Sequence, residues 1–111
     1  MYRIVFPTNE KMSYLSKVES SFEDSKYLTV LHVTGQQITE VELVKNTHPH
    51  TKEDILKECK DNHYRILILP QKENLPLNEL KVNGTSVFIA SENKSVLNTF
   101  SDFVQDKLKR A

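Results

Sequence analysis

The feature that most constrains this chain is Tyr64-Arg65-Ile66-Leu67-Ile68-Leu69-Pro70. Its centre is an unbroken aliphatic run of strand length. A strand wet on one face alternates, so a run of this kind implies burial on both faces. Pro70 ends it by removing a ladder donor. An amphipathic segment stands immediately before it, with Thr51 as the expected cap, Ile55, Leu56 and Cys59 as the apolar stripe and Asn62 as the expected stop. A helix delivering the chain into a doubly covered strand is half of a parallel α/β unit.

The remaining elements follow from local pattern. Residues 2–6 read as a strand closed by Pro7-Thr8-Asn9. In Asn9 to Ser25 the spacing of Met12, Leu15, Val18 and Phe22 predicts a short helix. Tyr27–Val33 and Ile38–Val44 predict a hairpin, because Gly35 between them can take positive φ. In its second arm Val41 and Leu43 share one face, and Glu40 and Glu42 point to the wet one. Leu75, Leu77, Leu80 and Val82 ask for burial, but Pro76 limits that stretch to a turn or two of helix. Ser86–Ala90 is a further strand. Ser91 or Asn93 should cap a final helix carrying Val96, Leu97, Phe100, Phe103, Val104 and Leu108. The expected architecture is a single α/β domain over 1–111. Its mixed five-stranded sheet has the order 3-2-1-4-5 with the second strand antiparallel, flanked by helices.

Composition excludes several function classes. Fifteen basic and fifteen acidic residues give no net charge, which argues against a nucleic-acid binder. No stretch approaches the ~18 apolar residues of a membrane span, and the N-terminus lacks a signal-peptide pattern, so a cytoplasmic protein is expected. One cysteine, Cys59, excludes a disulfide or a cysteine-only metal site within one chain. The two glycines, Gly35 and Gly84, open no helix, so there is no phosphate loop, and no hydrolase or kinase signature occurs. Tyr2–Phe6 and Tyr64–Leu69 carry no carboxylate, which disfavours a metal-dependent nuclease. No enzyme activity is expected.

Few residues offer site chemistry. His48 and His50 flank a proline; in an extended segment they share a face and could converge on one metal ion, or stand as two solvated loop histidines. No third ligand stands at metal-site spacing. Glu19, Glu23 and Asp24 read as a solvated acidic loop, and Cys59 as a buried thiol.

Ile4-Val5-Phe6-Pro7-Thr8-Asn9, the loop Ser20-Ser21-Phe22-Glu23-Asp24-Ser25 and the strand Tyr27-Leu28 stand in a particular order. A glycine-turned hairpin, a histidine loop and a C-terminal amphipathic helix come after them. In that order, over nearly its whole length, the chain resembles the NifX/NifB-type dinitrogenase iron–molybdenum cofactor biosynthesis family. The resemblance implies a ribonuclease H-like fold. It also implies a non-enzymatic carrier of an iron–sulfur cluster, of iron–molybdenum cofactor or of a precursor. Asn9, Ser21, His48 and His50 would bind the cofactor, and the two histidines the metal. The implied partner is another protein of metal-cofactor assembly, for a monomer or weak homodimer. The chain departs from the family where Ser21 replaces a loop histidine, Glu23 a glycine, and Pro70–Asn74 a glycine-rich turn. The alternative is a diverged interaction or regulatory module that has lost the cofactor, and the isolated protein is expected to be colourless.

Overall fold

A computed structural model of the chain describes residues 2–19, 25–45, 52–70 and 77–111. In order come β1 (Tyr2–Thr8), one turn of 3-10 helix (Ser13–Leu15), β2 (Tyr27–Thr34), β3 (Gln37–Lys45) and α1 (Lys52–Asp61). Then follow β4 (Tyr64–Leu69), α2 (Leu77–Val82), β5 (Ser86–Ile89), α3 (Val96–Val104) and β6 (Lys109–Arg110). One sheet takes all six strands in the order β3-β2-β1-β4-β5-β6. β1, β4 and β5 are parallel, and β2 runs against both β1 and β3.

The aliphatic run does lie at the centre. β4 sits between β1 and β5, and Leu67, Ile68 and Leu69 are wholly buried. Each such side chain contributes ~1.5–3 kcal/mol of hydrophobic stabilisation. Leu67 and Leu69 join Val5, Leu28, Val30 and Val87 on one face, covered by Ile55 and Cys59 of α1 and Leu80 of α2. Ile68 joins Ile4, Phe6, Leu31 and Val33 on the other, covered by Val18, Val96 and Phe100.

Two bulges interrupt the ladders. Arg3 pairs with Tyr64 but Ile4 pairs with Ile66, so Arg65 is an extra residue. That slip brings Tyr64 onto the face of Leu67, three residues on. In the hairpin, His32 pairs with Glu40 and Val33 with Ile38, leaving Thr39 over. Its hydroxyl donates to the His32 carbonyl at 3.1 Å. Glu40 and Glu42 are exposed as expected; Val41 is half-buried and Leu43 is exposed at the free edge.

The structure corrects the sequence in several places. There are six strands, not five: β6 pairs antiparallel with β5 through Phe88–Arg110 and Ile89–Lys109. Two charged residues carry no strand periodicity. Instead, Arg110 lies over the Phe88 ring at 5.5 Å and donates to Ser86 Oγ at 3.1 Å. The helix expected after Asn9 is only a 3-10 turn, with Met12 and Leu15 more than half exposed. Ser16 explains this, since its hydroxyl accepts from Met12 N–H at 2.9 Å and donates to the Glu10 carbonyl at 3.1 Å. Such local bonds compete with helix. Val18 is buried, and its N–H donates to the Lys94 carbonyl; Phe22 lies outside the described residues.

The helix ends also shift. α3 is capped by Ser95, whose Oγ accepts from Asn98 N–H at 3.2 Å, while Asn93 takes a left-handed turn at φ 61°. The left-handed residue after α1 is His63 (φ 55°), not Asn62, whose side chain instead donates to the Glu58 carbonyl at 2.9 Å. Thr51 lies outside the described residues. Val82, expected to be buried, is exposed on the outer side of α2.

Candidate functional site

In open α/β sheets ligands gather beyond the carboxyl ends of the parallel strands. Here β1 ends at Thr8, opposite Tyr27, and Tyr27 pairs in turn with Lys45, the last residue of β3. The connections after Thr8, Lys45, Leu69 and Ile89 therefore all leave from one edge. Residues 46–51, which carry His48 and His50, start from it, as the sequence reading required if those histidines were to serve a site there. Ser21, His48 and His50 themselves lie outside the described residues, as do Glu23 and Asp24.

Asn9 is at this edge and exposed. Its Oδ1 accepts from Lys26 N–H at 2.8 Å, tying the return of the chain to the start of β2. Behind it the hydroxyls of Thr8 and Thr29 bond at 2.9 Å in full burial. Those two hydroxyls are enclosed and spent on each other, so of these groups it is the Asn9 amide that faces solvent. No group of three His, Cys, Asp or Glu residues able to hold a metal ion occurs among the described residues.

The other metal-ligating side chains lie elsewhere. His32 is buried on β2, opposite Arg3 on β1. Its Nε2 is 3.2 Å from Glu42 Oε2 and its Nδ1 is 3.8 Å from Glu40 Oε2. Cys59 is buried on the inner face of α1. Desolvation, with Glu58 beside it, pushes its thiol up to about 12, so it stays protonated and inert. Iron–sulfur clusters prefer thiolate or imidazole. The described residues of the carboxyl edge do not make a cluster site by themselves, and imidazole there can come only from residues 46–51.

The opposite edge of the parallel strands holds a cavity of about 410 Å³ lined by Tyr2, Arg3, Cys59, Lys60, His63, Tyr64, Arg65, Asn83 and Gly84. Nothing in the sequence pattern singled it out. Its residues come from three separate segments that no local pattern brings together.

No family model matches the chain, and no curated protein does. Solved structures match over its whole length. It superposes on the apo form of the orange protein from Desulfovibrio gigas with a TM-score of 0.81 at 16% identity, covering 100% of this chain and 93% of that one. A "putative NifB protein" from Thermotoga gives 0.76 at 20% identity, with 99% and 93% covered. A "putative dinitrogenase" from Methanocaldococcus jannaschii gives 0.70 at 17%, with 98% and 93% covered. At these identities the likeness is one of fold: the chain has the architecture of these proteins from end to end. No helix among the described residues is long and apolar enough to cross a membrane.

Proposed function

We propose that the protein is a non-enzymatic carrier that takes a metal-cluster cofactor, or a precursor of one, as cargo at the carboxyl edge of its sheet. The observation that carries this reading is the end-to-end match to the "putative NifB protein" and orange protein folds. The convergence of four connections on one edge supports it. In this reading His48 and His50 supply the ligands, Asn9 and Ser21 the polar surround, and another protein of metal-cofactor assembly in the cytoplasm delivers or receives the cargo.

A second reading is a cofactor-free interaction module. The donor set of the described edge favours it, since an exposed amide suits a partner's backbone better than iron and the enclosed threonine pair offers no ligand.

Anaerobic reconstitution with iron and sulfide, followed by gel filtration, iron analysis and visible absorption, separates the two. The carrier reading expects retained iron and a visible band, both lost in the His48→Ala/His50→Ala protein. A protein that retains no iron, or retains it equally without the histidines, overturns it.

A further inference from the structure

The cavity at the amino edge of the parallel strands has no part in the carrier reading. It is built by the start of β1, the turn from α1 into β4, and the turn after α2. Its volume of about 410 Å³ lies in the ~300–1,000 Å³ range of small-molecule sites.

Its charge is one-sided. Arg3, Lys60 and Arg65 line it, and no carboxylate does. Lys60 and Arg65 form no ion pair among the described residues. Arg3 donates through Nη1 to the Asn62 carbonyl at 2.8 Å, which anchors the guanidinium at the end of α1. Its other N–H groups have no partner among the described residues. Cations at a helix C-terminus are favourable without any ligand, and that accounts for Arg3 and Lys60. It does not account for Arg65, which the β4 bulge adds to the cavity wall.

Tyr64 is the second, independent observation. It is 3% exposed, and its hydroxyl has no hydrogen-bond partner among the described residues. A buried phenol normally finds one. The Thr99 hydroxyl is the sole fully enclosed and unpartnered side-chain atom among the described residues, so the Tyr64 hydroxyl is not enclosed. Tyr64 is itself one of the residues that line the cavity. Burial, then Glu58 and Glu42, push its pKa upward against a smaller opposing effect of Arg3, so it is a neutral donor. Of those carboxylates Glu42 contacts His32, and neither lines the cavity.

We infer that this cavity binds a small organic anion, a phosphate monoester or carboxylate on a planar apolar body. Arg3, Lys60 and Arg65 meet the anionic oxygens, and the Tyr64 hydroxyl donates to them. The rings of Tyr2 and Tyr64 and the neutral Cys59 thiol provide the apolar wall.

The test is NMR titration of the isotope-labelled full chain at low salt with phenyl phosphate, benzoate and, as a neutral control, phenol. Saturable amide shifts are expected at Arg3, Cys59 to Arg65 and Gly84 with at least one anion and not with phenol. The tighter anion identifies the charged group as phosphate or carboxylate. Arg65→Gln, an exposed change, should weaken binding about tenfold, the effect of losing a charged hydrogen bond. Tyr64→Phe should weaken it several-fold without moving the thermal midpoint. The inference fails if neither anion saturates below about 10 mM, a threshold near the weak end of specific binding. It also fails if phenol binds equally well, or if Arg65→Gln leaves the anion affinity unchanged. The His48→Ala/His50→Ala protein should bind the anion normally, so failure of the carrier reading leaves this one standing.

Discussion

Phe100→Ala is the sharpest probe of how α3 is held. Phe100 is only 6% exposed, in the core between the helix and the face carrying Ile4, Phe6 and Ile68. Truncation strips roughly 100 Å² of apolar surface, worth ~2.5 kcal/mol at ~25 cal/mol per Å². A residual cavity of roughly 80 Å³ adds ~2 kcal/mol at ~24 cal/mol per Å³. The expected loss is about 4 kcal/mol, inside the ~3–5 range for a buried Phe→Ala. A domain of this length has about 6–15 kcal/mol in all, so the variant still folds, with a midpoint lower by roughly 15 °C. Urea unfolding followed by circular dichroism measures it, with Leu97→Ala as the control. Leu97 is on the same helix but 37% exposed, and should lose far less than Phe100. A Phe100→Ala loss below ~1 kcal/mol, or equal losses at the two positions, would refute the packing argument.

Three further outcomes follow from particular contacts. Ser95→Ala should destabilise by ~1 kcal/mol through loss of the α3 cap, and Ser91→Ala by no more than ~0.5; equal effects in urea melts would displace the cap. Asp102→Asn should remove ~0.5–1 kcal/mol by breaking the bond with Lys94, and the loss should shrink in 1 M salt; the Nζ–Oδ2 distance there is 2.6 Å. Cys59, raised to about 12 from an ordinary 9.0, keeps in the folded state a proton that the unfolded chain gives up. Its contribution is therefore complete below about pH 9 and is lost as pH rises toward about 12, Tyr64 acting in the same direction. Urea midpoints at about pH 8 and pH 10.5 should fall more in the native protein than in Cys59→Ala, and equal falls would contradict that assignment.

Much of the fold was legible because its strongest signals were local or continuous. Ile66–Leu69 needed no partner to declare itself central, and Gly35, at φ 63°, turns the hairpin as its sequence implied. The misses share a physical cause, namely competition that spacing does not display. Ser16 captures the backbone groups that a helix through Met12 and Leu15 would use. Ser91, Asn93 and Ser95 are all competent caps, and the contact of Val96 with the core decides among them. The bulges at Arg65 and Thr39 depend on cross-strand register, which no single strand encodes. The candidate site was legible only as an edge: Asn9 proved to tie down the chain start of β2, and the amino-edge cavity exists only after three distant segments meet.

The strand order has a consequence during synthesis. β1, β2 and β3 are consecutive in sequence and pair with one another, so the N-terminal half can fold as a meander once it emerges. Yet β1 is an inner strand of the finished sheet, and its second ladder waits for β4, about sixty residues later by the Ile4–Ile66 pairing. Until then the nascent chain displays Ile4, Val5 and Phe6, apolar toward both faces, along an open row of backbone donors and acceptors. Such an edge templates pairing with other chains. The most aggregation-prone moment of this protein is thus on the ribosome, in the interval before β4 arrives, and the finished sheet conceals it.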